Sequence, residues 1–248
     1  MKKYKLFRMN NKLQHYINRY RYNKSHTMLP DIKGGSGACG QDILIHQLSR
    51  RKKDGVFVDI GANDGVSISN TLMLEKDFGW SGIAVEPIPS VYEKLRSNRK
   101  CHMVHGCVTP KAGKAKFLEM VGGPNMLSTL AMNNVGLTAR RLRKNAERHK
   151  AIINEIDVDC YTLQSLVNRF EIKRIDFLSV DTEGGELEIL QSIDFDAIPV
   201  GVISVENNYY IGSIRRFLES EGFLYVGTFK IDEIYVFGGD ELRRVIKK

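Results

Sequence analysis

Four apolar runs of strand length, each with an acid at or next to its end, constrain this chain more than any other feature. VFVDI (56–60) carries Asp59, GIAVE (82–86) ends on Glu86, IDFLSVD (175–181) ends on Asp181, and VISVE (202–206) ends on Glu206. Continuous apolar runs, without the alternation of a half-solvated strand, belong to parallel strands covered on both faces. CHMVHGCV (101–108) reads as a further strand, and helical patterns fall near 41–48, 66–76, 89–98, 162–170 and 185–193. Ile211, Ile214, Phe217 and Leu218 mark one more helix by their spacing. Repeated βα units imply right-handed crossovers, hence an α/β fold with a mostly parallel sheet between helices. FLYVGTFK and EIYVF are separated by a turn too short for a crossover helix, so they should pair antiparallel at one edge.

The chain has 248 residues and a formal charge of +8, but the charge is uneven. Residues 1–30 hold eight Lys and Arg and no acid, which leaves 29 basic against 29 acidic residues in 31–248. The expected organisation is a basic N-terminal extension, 1–30, and a single domain, 31–248, entered through the flexible, glycine-rich 31–40. A neutral body argues against a broad phosphate-tracking surface, and so against nucleic acid as the partner. The extension can still make peripheral contact with an anionic partner or membrane surface. Cys39, Cys101, Cys107 and Cys160 show no CxxC spacing, and no run reaches the about 18 apolar residues of a membrane span. A reduced, cytoplasmic location is expected. The oligomeric state is left open by the sequence.

Between 109 and 161 the βα alternation stops. KAKFLE, GGPNMLSTL, a basic stretch at 139–150 and the strand-like EIDVDC read as an insertion over the carboxyl ends of the strands, where such folds bind ligands. Arg140, Arg141, Arg143, Lys144, Arg148 and Lys150 crowd this segment. They form either a solvated helix face or, if the insertion lids the site, a grip for a phosphate or carboxylate on the acceptor.

Val58-Asp59-Ile60-Gly61-Ala62-Asn63-Asp64-Gly65 is a strand followed by a glycine turn that should open a helix, whose first amides can receive a ligand carboxylate. The glycines stand four apart and Asp64 would repel a pyrophosphate, so the loop is not a dinucleotide fingerprint. S-adenosylmethionine, with an ammonium and a sulfonium beside its carboxylate, suits an acidic loop better. Glu86 ends the next strand, where an acid meets ribose hydroxyls in related folds. The adenine edge would then lie at Cys107 and Val108, with the Cys107 thiol serving as a small core residue. Candidate cofactor contacts are Asp59, Gly61, Ala62, Asn63, Gly65, Glu86, Cys107, Val108 and Asp181.

Asp181-Thr182-Glu183-Gly184-Gly185-Glu186 and Glu206-Asn207-Asn208 follow two other buried strands. Asp181, Glu183 and Glu206 are therefore candidate catalytic residues around the methyl acceptor. Their mutual repulsion needs relief. A Mg²⁺ ion on Asp181, Glu206 and Asn207 would supply it; the alternatives are metal-free carboxylate chemistry, or acids that merely cap the next helix. His102, His105 and His149 form no metal-binding pattern.

Taken as ordered blocks, GQDILIHQL, FVDIGANDGVSISNTLMLEKDFGWSGIAVEPIPSVYEKLRSNR, TLQSL, IDFLSVDTEGGELEILQSIDF and VISVEN resemble the FkbM-type methyltransferases over roughly 40–237. The resemblance implies a Rossmann-like class I methyltransferase fold: a mostly parallel seven-stranded sheet with an antiparallel C-terminal edge hairpin. It also implies S-adenosylmethionine-dependent O-methylation of a sugar hydroxyl in a glycan or of a related small molecule. By the same resemblance Asp59, Gly61, Asn63 and Glu86 look like cofactor contacts, and Asp181, Glu183 and Gly184 like the family's acidic signature. Two alternatives stand beside this: methylation of a nitrogen on nucleic acid or protein, and a non-catalytic module on the cofactor fold. VDTEGG in place of an N-P-P-Y type signature weighs against the first.

Overall fold

The computed structural model describes residues 27–238, so the basic extension falls outside the described residues up to position 26. In chain order the elements are α1 (Gln41–Leu48), β1 (Val56–Ile60), α2 (Leu72–Phe78), β2 (Ser81–Glu86), α3 (Pro89–Asn98), β3 (His102–His105) and β4 (Cys107–Val108). There follow β5 (Gly113–Val121), β6 (Thr129–Leu130), α4 (Gly136–His149), β7 (Ile152–Tyr161), α5 (Leu163–Arg169), β8 (Ile175–Val180) and α6 (Glu186–Gln191). The chain then continues through β9 (Val200–Glu206), α7 (Gly212–Ser220), β10 (Phe223–Phe229) and β11 (Asp232–Phe237). No helix among the described residues is long and apolar enough to cross a membrane.

A seven-stranded sheet runs β10-β11-β9-β8-β1-β2-β3. Its pairs from β9 to β3 are parallel, and β11 pairs antiparallel with both β9 and β10. This is the mostly parallel sheet with an antiparallel edge that the apolar runs predict, in the Rossmann-like arrangement that the resemblance implies. Alternate strand residues face opposite layers, as a period of two requires. Val58, Ile83, Leu178 and Ile203 join the layer of α5, α6 and α7, while Phe57, Ala84, Phe177 and Val202 join the layer of α1, α2 and α3. Each fully buried large side chain in these layers contributes roughly 1.5–3 kcal/mol. Strand order reverses between β1 and β8, the point at which such sheets open a crevice at their carboxyl edge.

Three local expectations need correction. The strand read over 101–108 is two strands in two sheets: β3 pairs with β2, and β4 pairs with β7. Gly106 is the break, with φ +149° and a backbone so close to Asp159 that an added Cβ would lie 2.5 Å from its carbonyl oxygen. The helix after β1 begins at 72, not 66. Asp64 accepts the amides of Val66 and Ser67, and Ser69 accepts that of Leu72, so side chains hold 64–71 as a loop in competition with a helix. The glycine-rich 31–40 is pinned: Ile32 N–H donates to Cys39, Cys39 N–H to Gln41 Oε1, and Gln41 Nε2 to Asp232.

The inserted segment is a second sheet, ordered β4-β7-β5-β6, in which β5 and β7 pair antiparallel over nine positions. Phe117, Leu130 and Val158 pack it on Ile88 and Val91 at the start of α3, and α4 covers its other end through Leu142 and Ala146 on Met120.

Candidate functional site

The carboxyl ends of β1, β2, β8 and β9 converge on a cavity of about 330 Å³. Asp59, Gly61, Ala62, Asn63, Glu86, Cys107, Val108, Asp181, Glu183 and Glu206 all line it. Gly65 and Asn207 do not. Gly65 packs under Arg99, whose Nη1 donates to its carbonyl at 3.1 Å. Asn207 spends its amide on Glu233 and Ile211 and its carbonyl on Ile211 N–H.

One end of the cavity is held by backbone. Gly61 has φ +87°, and a Cβ there would fall 1.8 Å from the Asp181 carbonyl oxygen, so only glycine lets the β1 turn meet the end of β8. Both Gly61 and Ala62 donate their amides to Val85 at 3.0 Å. Asn63 N–H donates to one Glu86 oxygen at 3.1 Å and Ile88 N–H to the other at 2.9 Å. The Gly65 amide goes to Ala62, and Asp64 takes those of Val66 and Ser67. The turn therefore spends these amides internally and no helix opens there, which corrects the expectation that they receive a ligand carboxylate. Burial pushes the Glu86 carboxyl up to about 7 against the pull of its two amide donors. Beyond Glu86 the wall is apolar, formed by Ile88, Cys107, Val108, Phe117 and Leu130. Burial also raises the Cys107 thiol, which stays protonated.

Asp59 is buried and accepts from Thr71 Oγ1 at 2.6 Å. Burial raises its carboxyl, opposed by Thr71 and by the Arg99 charge behind it. Arg99 reaches Thr71, Ser69 and Gly65 and pairs with Glu75 at 2.7 Å, its side chain fully buried. This one cation ties loop 61–71 together. Nothing in the local pattern around Arg99 announces it, because its partners lie 24 to 34 residues away.

The other end of the cavity is acidic. Asp181, Glu183 and Glu206 bring carboxylate oxygens within 4.8 Å of one another. Glu183, Gly184 and Gly185 all have positive φ, at +57°, +122° and +96°, a costly run for a residue with a side chain. Both neighbours brace it. Glu186 folds back to accept Gly184 N–H and Thr182 Oγ1, while the insertion reaches over: Thr129 Oγ1 donates to the Glu183 carbonyl and Asn133 Nδ2 to that of Gly184. From α4, Arg141 donates to the Glu183 carboxylate, and Asn208 donates to both Glu183 and Glu206. Gly185 is the N-cap of α6 and no side chain caps that helix, so Asp181 and Glu183 are not capping acids.

Burial, then the neighbouring Glu183, Asp232 and Glu186, hold Asp181 well above the usual carboxylate range, and burial with Asp181 and Glu183 does the same to Glu206. Asp181 is exposed and lines the cavity, whereas Glu183 and Glu206 are buried. Glu183 is pushed up to about 7 by burial against the Arg141 charge. Asp232, on the hairpin edge of the cavity, is raised to about 6 by burial. The cluster's spacing is one that a divalent ion can bridge, but the third candidate ligand is Glu183 rather than the expected Asn207, and Arg141 and Asn208 already hydrogen-bond to Glu183. Sequence reading missed Arg99, Asn208, Asp232 and the Ala38–Cys39 rim; of the basic stretch, only Arg141 lines the cavity. His102 stacks on Phe170 and His105 on Tyr92, and neither histidine lines it.

A sheet that reverses at β1 and β8, a carboxylate ending β2 and a cavity graded from apolar to acidic are what an S-adenosylmethionine-dependent methyltransferase needs. Residues 59–225 match the methyltransferase FkbM domain, and the chain belongs to that family. A relative from Beauveria bassiana (strain ARSEF 2860), Methyltransferase 1, is 27% identical over 183 residues, covering 68% of this chain and 72% of its own length. Among solved structures, an FkbM methyltransferase from Methylobacillus flagellatus KT is 13% identical with a TM-score of 0.43, covering 75% of this chain and 44% of that one. The METTL16 MTase domain is 11% identical with a TM-score of 0.45, covering 92% and 80%.

Proposed function

We propose that the chain methylates a hydroxyl oxygen, on a sugar of a glycan or a related small molecule. The observation that carries this reading is the cluster of three acids at the far end of the cavity, whose close spacing and raised proton affinities suit the capture of a hydroxyl proton near neutral pH.

The residues fit the cofactor. Its base would rest on the Ile88, Cys107 and Phe117 wall, its ribose hydroxyls would be accepted by Glu86, and its cationic end would face Asp59 and Asp181. When bound it supplies an electrophilic methyl carbon on a positively charged sulfur. Glu183, oriented by Arg141 and Asn208, takes the proton as the acceptor oxygen attacks. Asp181 and Glu206 share a proton between them, which relieves the repulsion that three ionised carboxylates would suffer. The rest of the rate comes from alignment, because the attacking oxygen must lie opposite the departing sulfur. Arg141 supplies the positive charge that a metal would otherwise provide, and Asn208 adds neutral hydrogen bonds to Glu183 and Glu206, so this reading is metal-free.

The test is methyl transfer from labelled S-adenosylmethionine to a panel of oligosaccharides, small alcohols, RNA and protein, with the product linkage read by NMR. An O-methyl ether on a carbohydrate or alcohol is expected. N-methylation of RNA or protein would overturn the reading.

A further inference from the structure

Helix α4 carries a second concavity on its solvent side, of about 370 Å³, walled by Arg140, Arg143 and Lys144 and completed by Gly136 and Glu147. The three cations are exposed, and none has an ion-pair partner among the described residues, whereas Arg141 between them turns to Glu183. Arg140 and Lys144 stand at i, i+4, where like charges weaken a helix, and a single acid, Glu147, leaves the pocket net positive by two. A fold that keeps such a cluster uncompensated beside its active site has left room for an external anion.

Two further features point the same way. Gly136 opens the helix with φ +54°, and a Cβ there would meet nothing within 4 Å, so bare backbone at the positive end of the helix dipole forms one wall. Lys144 is the i+3 neighbour of Arg141, so the pocket adjoins the one cation of this helix that reaches Glu183.

We propose that this pocket binds a phosphoryl or diphosphoryl group carried by the acceptor, and so seats a sugar hydroxyl at Glu183. The inference rests on the hydroxyl-acceptor reading above. Guanidinium forks at Arg140 and Arg143 match phosphate oxygens in pairs, and Lys144 adds a point charge.

The full chain is titrated calorimetrically with inorganic pyrophosphate, beside the variant Arg140→Gln/Arg143→Gln/Lys144→Gln, with S-adenosylhomocysteine binding measured on the same samples. Wild type should bind pyrophosphate and the variant should bind it on the order of tenfold more weakly, with S-adenosylhomocysteine affinity unchanged in both. A soluble sugar nucleotide and a sugar diphosphate on a short prenyl chain then compete: displacement by either supports the proposal and names the source. A wild type that binds S-adenosylhomocysteine but ignores pyrophosphate overturns the pocket alone, as does equal pyrophosphate binding by the variant. Charge-dependent binding confined to phosphatidylglycerol vesicles or to RNA overturns it too, in favour of a membrane surface or a nucleic acid. Failure of the hydroxyl reading is seen separately, as N-methyl product.

Discussion

The two ends of the cavity are held by different kinds of scaffolding. At the Glu86 end, amides from the β1 turn and the start of α3 fix the carboxylate, and all of them belong to the nucleotide-fold half of the chain. At the Glu183 end, side chains fix the acid, and Arg141, Thr129 and Asn133 come from the insertion. Backbone donors change little with sequence, whereas side-chain donors change with every substitution. The Glu86 end is thus built to be constant and the Glu183 end to be adjustable.

The sharpest way to break this comparison is Glu183→Gln. It should lower kcat by about 10²–10⁴, the usual worth of a positioned base, with S-adenosylhomocysteine affinity unchanged in calorimetry. The rising limb of wild-type kcat, expected near pH 7 because ionised Glu183 takes the proton, should vanish in the variant. A matching loss of cofactor affinity would erase the distinction between the ends.

Gly61→Ala tests the place where the two ends touch. Its new Cβ would overlap the Asp181 carbonyl, so stability in urea should fall by about 3 kcal/mol and both functions should suffer together. A stable Gly61→Ala protein would show that the contact can relax.

Glu86→Ala should weaken cofactor binding by about 1–3 kcal/mol while leaving acceptor KM alone. Calorimetry checks the first and steady-state kinetics the second.

A smaller effect concerns pH. Glu86 and Glu183, ordinarily near 4.5, are both raised to about 7 in the fold. Each binds its proton more tightly folded than unfolded, so its stabilisation is complete below the unfolded value and is lost as pH rises through about 7. Unliganded protein should lose on the order of 1 kcal/mol or more from these groups between pH 5 and 8, and Glu86→Gln should flatten the denaturation midpoint against pH. The smallest expected change is none: chelator should leave turnover unaltered, and Mg²⁺-dependent recovery after chelation would restore the metal version of the acid cluster.

The parts of this molecule legible in sequence are those whose cause is local. Val58, Leu178 and Ile203 announce buried parallel strands because both faces of the sheet are covered, and Glu86 and Asp181 could be placed because strand ends in this topology share a crevice. The split at Gly106 escaped because what breaks the strand is the Asp159 backbone, 53 residues on. The late start of α2 escaped because Asp64 and Ser69 divert amides that periodicity assigns to a helix. KAKFLE and EIDVDC look like strands, but a helix intervenes between them and conceals their nine-position pairing. Arg99 was illegible as a site residue, and the partner of Arg141 was too, for one reason: a cation gives no hint of which distant carboxylate it will face.

Because Arg141 travels with the insertion, a swap of that segment between relatives alters more than the shape of the cavity's acidic end. The donor segment must carry its own counter-charge for Glu183, or the graft inherits a carboxylate with the wrong proton affinity. Reshaping substrate choice and preserving turnover are a single engineering problem in this enzyme.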